Sequence, residues 1–443
     1  MRNTFSKGGI HPSANKTASR SIEFLPLPMK VNVPLSQHIG APARPVVSKG
    51  DKVRRGQIIA ENASFVSAGL HAPVSGTVRS IENVMMPWGK QIRAIIIEAS
   101  EEEHLSDTMD RDAYWHGITS GNCDRTISDV LAPDEIKAKI NEGGIVGLGG
   151  ATFPSVVKLS LKPEQKPEVL IINGCECEPY LMCDDALMCM WPARIVEGVE
   201  LIMKAAGIPR AVIAMEDNKP EAAAAIAAAI DGSADISLRI LKTKYPQGGE
   251  KQLVEAVTGR RISSGALPIS VGAVVNNVAT AFAVWQAVAT GQPLIERVVT
   301  VTGDIAPMQR KNYMVALGTP LADLPFSLDS GEFRILAGGP MMGKTVVRFD
   351  APIMKGTSGL TILRHRPARP EQACMRCGAC VDACPMGLEP YLLATYGRLR
   401  MWGEARDAAV ADCIECGSCS YSCPSARHIL DYIRVAKNRA KKL

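Results

Sequence analysis

The chain has 443 residues, of which 46% are hydrophobic and 21% charged, a balance typical of folded proteins with several domains. Its formal net charge of +5 is well below the basic excess of nucleic-acid-binding proteins. No apolar segment reaches the length of a membrane span and no signal peptide is evident, so we expect a cytoplasmic protein whose membrane contact, if any, is peripheral. Thirteen cysteines in such a protein indicate metal or redox chemistry rather than disulfide bonds.

Residues 1–117 carry short β-branched runs separated by turn residues, which predicts a small β domain. The clearest runs lie within residues 48–60 and 72–78. This pattern resembles the barrel-sandwich hybrid fold of biotinyl and lipoyl carrier domains. Residues 63–70 correspond to the hairpin that bears the modified lysine in those carriers, and they contain no lysine. We therefore expect the fold without the carrier function.

Residues 118–296 alternate between strand-like and helix-like segments, which predicts an α/β domain with helices packed on a sheet. The predicted strands are 169–173, 211–215 and 236–241, and the predicted helices are 192–206, 220–230 and 278–290. Asn276 and Asn277 precede the last of these helices and Gly291 follows it, as expected for capping residues.

The remaining chain is predicted to form two smaller domains. Residues 297–363 return to β-type runs with a tight glycine turn at 338–343, so we expect a small β-grasp-like domain. A basic, proline-containing linker opens residues 364–443, which hold most of the cysteines. The predicted class is thus multidomain, α/β plus β, with a helical C-terminal domain.

Two cysteine runs share one spacing, in which three cysteines at intervals of three residues are followed by a fourth cysteine and a proline. This is the spacing of bacterial ferredoxins with two [4Fe–4S] clusters, where the fourth cysteine of each run binds the other cluster. One predicted ligand set is Cys374, Cys377, Cys380 and Cys423, and the other is Cys413, Cys416, Cys419 and Cys384. Two structural zinc sites are the alternative, but zinc favours widely separated Cys-x2-Cys pairs.

Each run carries two further expectations. Gly378 and Gly417 occupy matching positions, where the loop must approach its cluster closely. The fourth cysteines, Cys384 and Cys423, are each expected to begin the next helical segment and to point away from their own run.

The glycine-rich segment 143–158 is a second candidate for ligand binding. Its exposed amides can face phosphate oxygens, and Lys158 adds a positive charge. It matches neither the dinucleotide fingerprint nor the Walker loop, so an ordinary glycine-rich loop is an equal alternative from these residues alone.

Residues 147–158 are similar to the flavin loop of the NADH-binding subunit of respiratory complex I. Segments 173–179, 245–250 and 276–277 resemble that family's three further flavin segments, in the same order. The layout also includes residues 8–12, the lysine-less barrel, the glycine turn and the paired cysteine runs. Together these resemble the C-subunit family of the Rnf electron-transport complexes over essentially the whole chain.

The resemblance implies non-covalent FMN, two [4Fe–4S] clusters and NAD(H) as substrate. Gly147, Gly149 and Lys158 would face the flavin phosphate and ribityl chain, Asn173, Glu176, Asn276 and Asn277 would hydrogen-bond the flavin, and Gly248 belongs to the third flavin segment. Phe153 would stack on the dinucleotide and Glu250 would lie near the nicotinamide. No catalytic side chain is expected, because the cofactors carry the hydride chemistry. The chain departs from the complex I pattern at Leu148, an arginine there, and at Cys175, an aspartate there.

The resemblance also implies a function, a location and partners. The chain would be a peripheral subunit at the cytoplasmic face of the cell (inner) membrane, exchanging electrons between NAD(H) and an ion-translocating complex. Its partners would be the membrane subunits and the ferredoxin-like B subunit, and nucleic acid is not expected. The alternatives are a free-standing iron–sulfur flavoenzyme and a non-catalytic iron–sulfur scaffold that bridges redox partners.

Five cysteines lie outside the two runs. They are Cys123, Cys175, Cys177, Cys183 and Cys189. Their gaps fit no standard zinc or cluster pattern, so packing in the core is favoured over a further metal site. Cys175 and Cys177 are also candidates for the lining of the flavin pocket.

Overall fold

The structure, a computed structural model, describes residues 3–120 and 130–442. Its first part holds β1 (Ile22–Phe24), β2 (Lys30–Pro34), β3 (Arg44–Pro45), β4 (Lys52–Val53), β5 (Ile58–Glu61), β6 (Leu70–His71), β7 (Gly76–Met85), β8 (Gln91–Glu98) and helix α1 (Glu101–Ser120). Two antiparallel sheets, in the orders β2-β8-β7-β4 and β3-β5-β6, share one hydrophobic cluster that includes Val33, Ile59 and Ile97. The predicted barrel-sandwich domain is confirmed.

The central part is an α/β unit, as predicted. It comprises α2 (Pro133–Glu142), α3 (Ser155–Leu159), β9 (Val169–Gly174), α4 (Cys183–Met190), α5 (Pro192–Ala206), β10 (Ala211–Glu216), α6 (Pro220–Ala229), β11 (Ile236–Leu241), α7 (Glu250–Thr258), β12 (Ala273–Asn277) and α8 (Val278–Trp285), with a 3-10 turn at Pro268–Val271 and a π turn at Gln286–Thr290. The strands form a parallel sheet in the order β11-β10-β9-β12.

The predicted helix 278–290 is helix α8 followed by the π turn, and Gly291 ends it in the left-handed conformation. Asn277 caps its start, because its side-chain oxygen accepts a hydrogen bond from the Ala279 amide at 2.8 Å. Strand β12, which ends at the two asparagines, was not predicted. Its apolar residues read equally well as part of a buried helix, so periodicity alone does not distinguish them.

The third part is the predicted β-rich domain. It holds β13 (Glu296–Gly303), β14 (Lys311–Ala316), β15 (Phe333–Ala337), β16 (Lys344–Thr345) and β17 (Gly359–Arg364), with 3-10 turns at Pro307–Gln309 and Leu321–Asp323. The six-stranded mixed sheet has the order β1-β14-β13-β17-β15-β16. Strand β1 belongs to the predicted first domain but pairs in parallel with β14 of this sheet. The local sequence around residues 22–24 does not indicate this pairing.

Helix α1 also crosses a predicted domain limit, at residue 117. Its Trp115 ring stacks on Trp191 and Phe282 of the central unit, with ring centroids 5.1 and 6.3 Å away. The helix therefore packs partly on the α/β unit, and the predicted limits at residues 117, 296 and 363 stay predictions.

The C-terminal part is helical, with α9 (Ala379–Asp382), α10 (Pro390–Leu399), α11 (Trp402–Asp407), a 3-10 turn at Val410–Asp412, α12 (Ser418–Tyr421) and α13 (Ile429–Ala440). Cys384 and Cys423 each follow a short helix instead of beginning one, so that expectation was wrong. The next helices begin at Pro390 and Ile429. The turns before these helices contain Pro385 and Pro424, which directly follow the two cysteines. Among the described residues, no helix is both long and apolar enough to cross a bilayer.

Candidate functional site

The predicted flavin segments meet at the carboxyl ends of β9 and β12. Asn173 and Asn277 are register partners on these neighbouring strands, and the Asn277 amide nitrogen donates to the Asn173 carbonyl at 3.3 Å. In open parallel sheets, ligands commonly bind outside this edge, because the loops that follow the strands surround it. The two segments therefore lie side by side, and we call Asn173 and Asn277 the floor of the candidate site.

The glycine-rich loop closes over this floor. The Gly147 amide donates to the Phe153 carbonyl at 2.8 Å, so the loop folds back on itself. A Cβ on Gly149 would lie 3.3 Å from the Cβ of Asn277, which places the loop backbone directly against the end of β12. Gly149 and Asn277 are thus brought together, with Gly147 two residues away in the same loop. The contacts of these residues with a flavin stay predictions.

Leu148 and Cys175, the two departures from the complex I pattern, both lie in hydrophobic cores. The Leu148 amide donates to the Thr280 hydroxyl at 2.9 Å, and its side chain is buried. Cys175 is fully buried in the core beneath the sheet, where burial raises the pKa of its thiol well above the ordinary value. Neither side chain occupies the floor of the site.

The third predicted segment joins the same floor through Gly248. The Gly248 carbonyl accepts a hydrogen bond from the Asn173 amide nitrogen at 2.9 Å, and its own amide donates to the Cys177 sulfur at 3.3 Å. Two residues later, the Glu250 carboxylate forms an ion pair with Lys158 at 2.8 Å, and both side chains stay partly exposed. Lys158, predicted to face the flavin phosphate, and Glu250, predicted to lie near the nicotinamide, are therefore neighbours at the exposed edge of the candidate site.

Glu176 has a structural role that its sequence context did not indicate. Its carboxylate accepts hydrogen bonds from the first amides of α4, Asp184 at 2.8 Å and Asp185 at 3.2 Å. The Lys16 ammonium lies 3.9 Å from the carboxylate and donates to the Glu176 carbonyl at 2.7 Å. The carboxylate thus satisfies amides at a helix N-terminus. Its hydrogen bond to a flavin stays a prediction.

Asn276, which precedes Asn277 at the end of β12, retains a free donor. Its amide nitrogen is buried and has no hydrogen-bond partner within the described ranges. Asn277 differs, because its amide nitrogen also donates to the Asp184 carboxylate at 2.7 Å. A buried donor without a partner costs free energy unless a ligand satisfies it. The end of β12 therefore fits a ligand with acceptor atoms, such as the predicted flavin.

An acidic group lies beneath this floor. Burial, and next the charge of Glu176, raises the pKa of the Asp184 carboxyl to about 7, although the hydrogen bond from Asn277 opposes the change. Cys183 lies beside it, and ligand atoms of Glu176, Cys183 and Asp184 are within 4.8 Å of one another. Because the carboxylates of Glu176 and Asp184 already accept amide hydrogen bonds, we interpret this group as packing that supports the asparagines.

Four cysteines line one cavity in the C-terminal domain. The cavity has a volume of about 990 Å³, and the cysteines are Cys374, Cys377, Cys380 and Cys423. They come from both runs, in the predicted crossed combination. Cys374 and Cys377 are exposed, so this set lies at the protein surface.

The other four cysteines are deeper. Burial, and next the nearby thiols of Cys416, Cys413 and Cys384, raises the pKa of Cys419 to about 12. Cys384, the fourth cysteine of the first run, is thus close to three cysteines of the second run. Thiols so arranged would bind iron as thiolates, since the metal displaces their protons. Gly378 and Gly417 both adopt the left-handed conformation, at φ of 79° each. Their close approach to a cluster stays a prediction.

The deeper cysteine set contacts the third predicted flavin segment, residues 245–250. The Tyr245 hydroxyl donates to the Cys416 carbonyl at 2.8 Å, three residues before Gly248 in the chain. Ile10, Tyr245, Ala383 and Cys416 form one hydrophobic cluster, against which Cys177 also packs. The two predicted sites are therefore adjacent.

A strap near the N-terminus runs along this junction. The Gly9 amide donates to the Ala383 carbonyl at 3.0 Å, and Ile10 exchanges backbone hydrogen bonds with Tyr245 at 2.8 and 2.9 Å. A Cβ on Gly8, which has a φ of 59°, would lie 2.3 Å from the Cys384 carbonyl oxygen. Sequence reasoning missed the roles of Tyr245 and Ile10. The paired glycines before Ile10 were the available signal.

The cysteines outside the runs are packed, within the described residues. Cys183 is buried in the main hydrophobic core, and Cys189 packs against that core. Cys177 lies between Gly248 and the hydrophobic cluster of Ile10, Tyr245, Ala383 and Cys416. Cys123 lies outside the described residues.

Family models match three parts of the chain. Residues 4–102 match the RnfC barrel sandwich hybrid domain, residues 140–286 the Nuo51 FMN-binding domain and residues 366–424 a 4Fe-4S dicluster domain. The chain therefore has an FMN-binding domain and a domain for two iron–sulfur clusters.

Curated relatives match nearly the full chain. The chain is 43% identical to the C subunit of the proton-translocating ferredoxin:NAD(+) oxidoreductase complex of Clostridium ljungdahlii, over 98% of this chain and 94% of that protein. It is 42% identical to the Na(+)-translocating counterpart of Acetobacterium woodii, over 97% and 96%. It is 39% identical to the C subunit of the ion-translocating oxidoreductase complex of Haemophilus influenzae, over 97% of this chain and 64% of that longer protein.

Among solved structures, the NAD+-reducing [NiFe]-hydrogenase in its air-oxidized state shares the fold over 74% of this chain and 70% of that chain, with a TM-score of 0.52. The H2-reduced state gives a TM-score of 0.50, over 73% and 66%. Identities of 17% and 18% limit this likeness to the fold.

Proposed function

Because this chain belongs to the family of C subunits of ion-translocating ferredoxin:NAD(+) oxidoreductase complexes, we propose that it passes electrons between NAD(H) and the other subunits of such a complex. The observation that carries this proposal is the contact between its two predicted sites. Tyr245, in the loop of the flavin segment, donates directly to the carbonyl of Cys416. The FMN-binding domain and the cluster-binding domain are thus in direct contact at these residues.

Bound FMN supplies the conversion between two-electron exchange with NAD(H) and one-electron transfer, and the clusters carry single electrons. The chain's own residues bind and orient these groups. The proposed FMN residues are Gly147, Gly149, Lys158, Asn173, Glu176, Gly248, Asn276 and Asn277, and the proposed dinucleotide residues are Phe153 and Glu250. Asn276 is the best supported of them, because its amide nitrogen has no protein partner among the described residues.

The two cysteine sets have different surroundings, which gives the proposed electron route an order. Cys413, Cys416, Cys419 and Cys384 form the set at the flavin junction, and Cys374, Cys377, Cys380 and Cys423 form the set at the surface. In this proposal the junction set exchanges electrons with the flavin side, and the surface set exchanges them with a partner.

The proposed location is the cytoplasmic face of the cell (inner) membrane, with peripheral attachment through the membrane subunits and the ferredoxin-like B subunit. The relatives are named as complex subunits, and no described helix could span a bilayer. Native membranes should retain the chain after isolation and release it in chaotropic salt. Recovery only in the soluble fraction, without companion subunits, would favour a free-standing flavoenzyme.

The test of the proposed function is an anaerobic NADH titration of the purified chain, after assay of FMN, iron and acid-labile sulfide. We expect stoichiometric FMN, iron and sulfide for two [4Fe–4S] clusters, and NADH-dependent bleaching of flavin and cluster absorbance. A chain with intact clusters but neither flavin nor a response to NADH would contradict the proposal and favour the scaffold alternative.

A variant tests the role of the unpaired amide: Asn276→Leu removes this amide but keeps a side chain of similar size. This variant should retain both clusters and lose FMN. Its clusters should still be reduced by dithionite but not by NADH.

A further inference from the structure

Exposed arginines line the cavity of the surface cysteine set and a second cavity that adjoins it. The cavity of that set is also lined by Arg376 and Arg398, both exposed. A second cavity, of about 570 Å³, adjoins it through Arg398 and is lined further by Arg400 and Arg439. We name Arg376, Arg398, Arg400 and Arg439 the arginine face.

The charge of the arginine face is not compensated within the described chain. None of its four guanidinium groups forms an ion pair with a described residue, although many exposed arginines elsewhere do. The one acidic residue that lines either cavity is Glu371, and it is 3.6 Å from a different arginine, Arg427. The four guanidinium groups therefore face solvent without a carboxylate partner among the described residues. A [4Fe–4S] cluster with four thiolates carries about two negative charges, fewer than the four positive charges of the face, so the face stays positive when the cluster is bound.

Apolar side chains are exposed between these arginines. Met375 is 66% exposed, Leu399 56% and Val435 49%. Protein interfaces are enriched in arginine, methionine and aromatic residues and depleted in lysine, because a guanidinium loses less on partial desolvation than an ammonium. The face carries arginine without lysine among the residues that line its two cavities. Its composition is that of a protein interface.

We propose that the arginine face docks an acidic one-electron carrier protein, which exchanges electrons with the cluster of the surface cysteine set. This inference rests on the proposed function, since it names the kind of partner that the surface cluster serves. The occupant follows from charge complementarity. It also follows from the exposed Cys374 and Cys377, because electron transfer requires the partner's redox centre to come close to this edge of the cluster.

An anionic membrane surface is the competing occupant of a basic face. It accounts for the charge but not for the exposed cysteine set beside Arg376 and Arg398, since a lipid accepts no electrons. Attraction between the arginine face and an acidic carrier raises the association rate and falls with ionic strength, which makes the docking measurable as a rate.

The experiment replaces Arg398, Arg400 and Arg439 together by Glu in the holoprotein and leaves the cysteine loop intact. The control replaces Lys49, Lys52 and Arg54, three exposed cations of the barrel domain, by Glu, for the same change in net charge. The probe is an acidic bacterial 2[4Fe–4S] ferredoxin, and the readout is its second-order rate of electron exchange with the reduced chain.

We expect the arginine variant to lose at least about tenfold in rate at low ionic strength, to approach the wild-type rate at high salt, and the control to stay within about twofold. An Arg→Gln version of the same triple variant should lose less, which guards against a folding defect. Equal losses in both triple Glu variants, or no loss in either, would overturn the docking proposal.

Two further measurements separate this proposal from others. NADH reduction of the chain's own clusters needs no partner, so its absence in the wild type would contradict the proposed function, whereas its presence in all variants isolates the docking step. Sedimentation with vesicles of phosphatidylcholine and phosphatidylglycerol tests the lipid alternative. Vesicle binding that the arginine variant loses, together with an unchanged ferredoxin rate, would assign the face to the membrane and overturn the proposal.

Discussion

The hydroxyl of Tyr245 donates a hydrogen bond to the carbonyl of Cys416 at 2.8 Å. This bond joins the loop of the FMN segment to the loop of the junction cysteine set. Tyr245 is buried, and burial raises the pKa of its hydroxyl far above the ordinary value, so it stays a protonated donor.

We expect Tyr245→Phe to keep FMN and both clusters but to alter one of them. The Cys416 carbonyl would lose a buried hydrogen bond worth about 1 kcal/mol net, and the loop that holds the cysteine would be less constrained. Reduction of flavin by NADH should be unchanged. Reduction of the iron–sulfur cluster held by the junction cysteine set should slow, and its EPR signal should change. The exposed Tyr421→Phe is the control. Identical cluster spectra in both variants would rule out this role.

The crossed cysteine sets predict which substitutions are equivalent. Cys423→Ala should remove the same cluster as Cys374→Ala, because both residues line the surface cavity. Cys384→Ala should instead match Cys413→Ala. Iron analysis should show loss of about half the iron in each variant, and EPR identifies which cluster remains. Uncrossed sets would pair Cys384 with Cys374.

Lys158 is expected to contribute to FMN affinity through its charge. Lys158→Gln should weaken FMN binding by about tenfold, a modest loss because the ammonium is partly exposed and already paired with Glu250. The dissociation constant of FMN is measured by fluorescence titration of protein that keeps both iron–sulfur clusters but has been depleted of FMN. Lys162→Gln, at an exposed neighbouring lysine, should leave it unchanged.

The Glu296 carboxylate holds three parts of the chain together. It forms ion pairs with Arg55 of the barrel at 2.7 Å and with Arg111 of α1 at 2.6 Å, and it accepts from the Trp115 indole at 3.1 Å. We expect Glu296→Ala to destabilise the fold by about 3–5 kcal/mol, because the buried guanidinium of Arg111 and the partly buried one of Arg55 would lose their counter-charge.

Thermal unfolding followed by circular dichroism measures this effect. The control is Glu61→Ala, which breaks an exposed ion pair with Arg44 and should cost about 1 kcal/mol or less. Similar unfolding temperatures for the two variants would mean that the buried network contributes little.

Lys355 makes stability depend on pH. Its buried ammonium donates to the Gly69 carbonyl at 2.9 Å and the Gly144 carbonyl at 2.6 Å, and burial lowers its pKa from 10.5 to about 7. Between these values the unfolded chain binds one proton more than the folded chain. The free energy of unfolding should therefore rise with pH across this window, by up to about 1.4 kcal/mol per unit.

Urea unfolding of the wild type and of Lys355→Met at pH 7 and pH 9 tests this. The stability of the wild type relative to the variant should increase with pH. His71 nearby does not titrate in this window, since burial and next the charge of Lys355 lower its pKa to about 4. The exposed Lys49→Met should follow the wild type. A constant difference between wild type and Lys355→Met would contradict the prediction.

The sequence by itself determined the features that depend on short spacing. The cysteine intervals, the capping residues around 278–290 and three of the four strands of the parallel sheet lie within local segments, where periodicity and turn chemistry act directly. The ordered flavin segments and the crossed cysteine sets could also be assigned from sequence, the former through resemblance.

Only the tertiary structure decided what depends on contacts between distant segments. The pairing of β1 with β14, the capping of α4 by Glu176, the free amide of Asn276 and the bond from Tyr245 to Cys416 each join residues whose local sequence is compatible with other partners. The physical reason is that burial of a shared core selects among such pairings, and this selection involves the whole chain at once. The proposed order of the electron route and the proposed docking at the arginine face rest on contacts of this second kind.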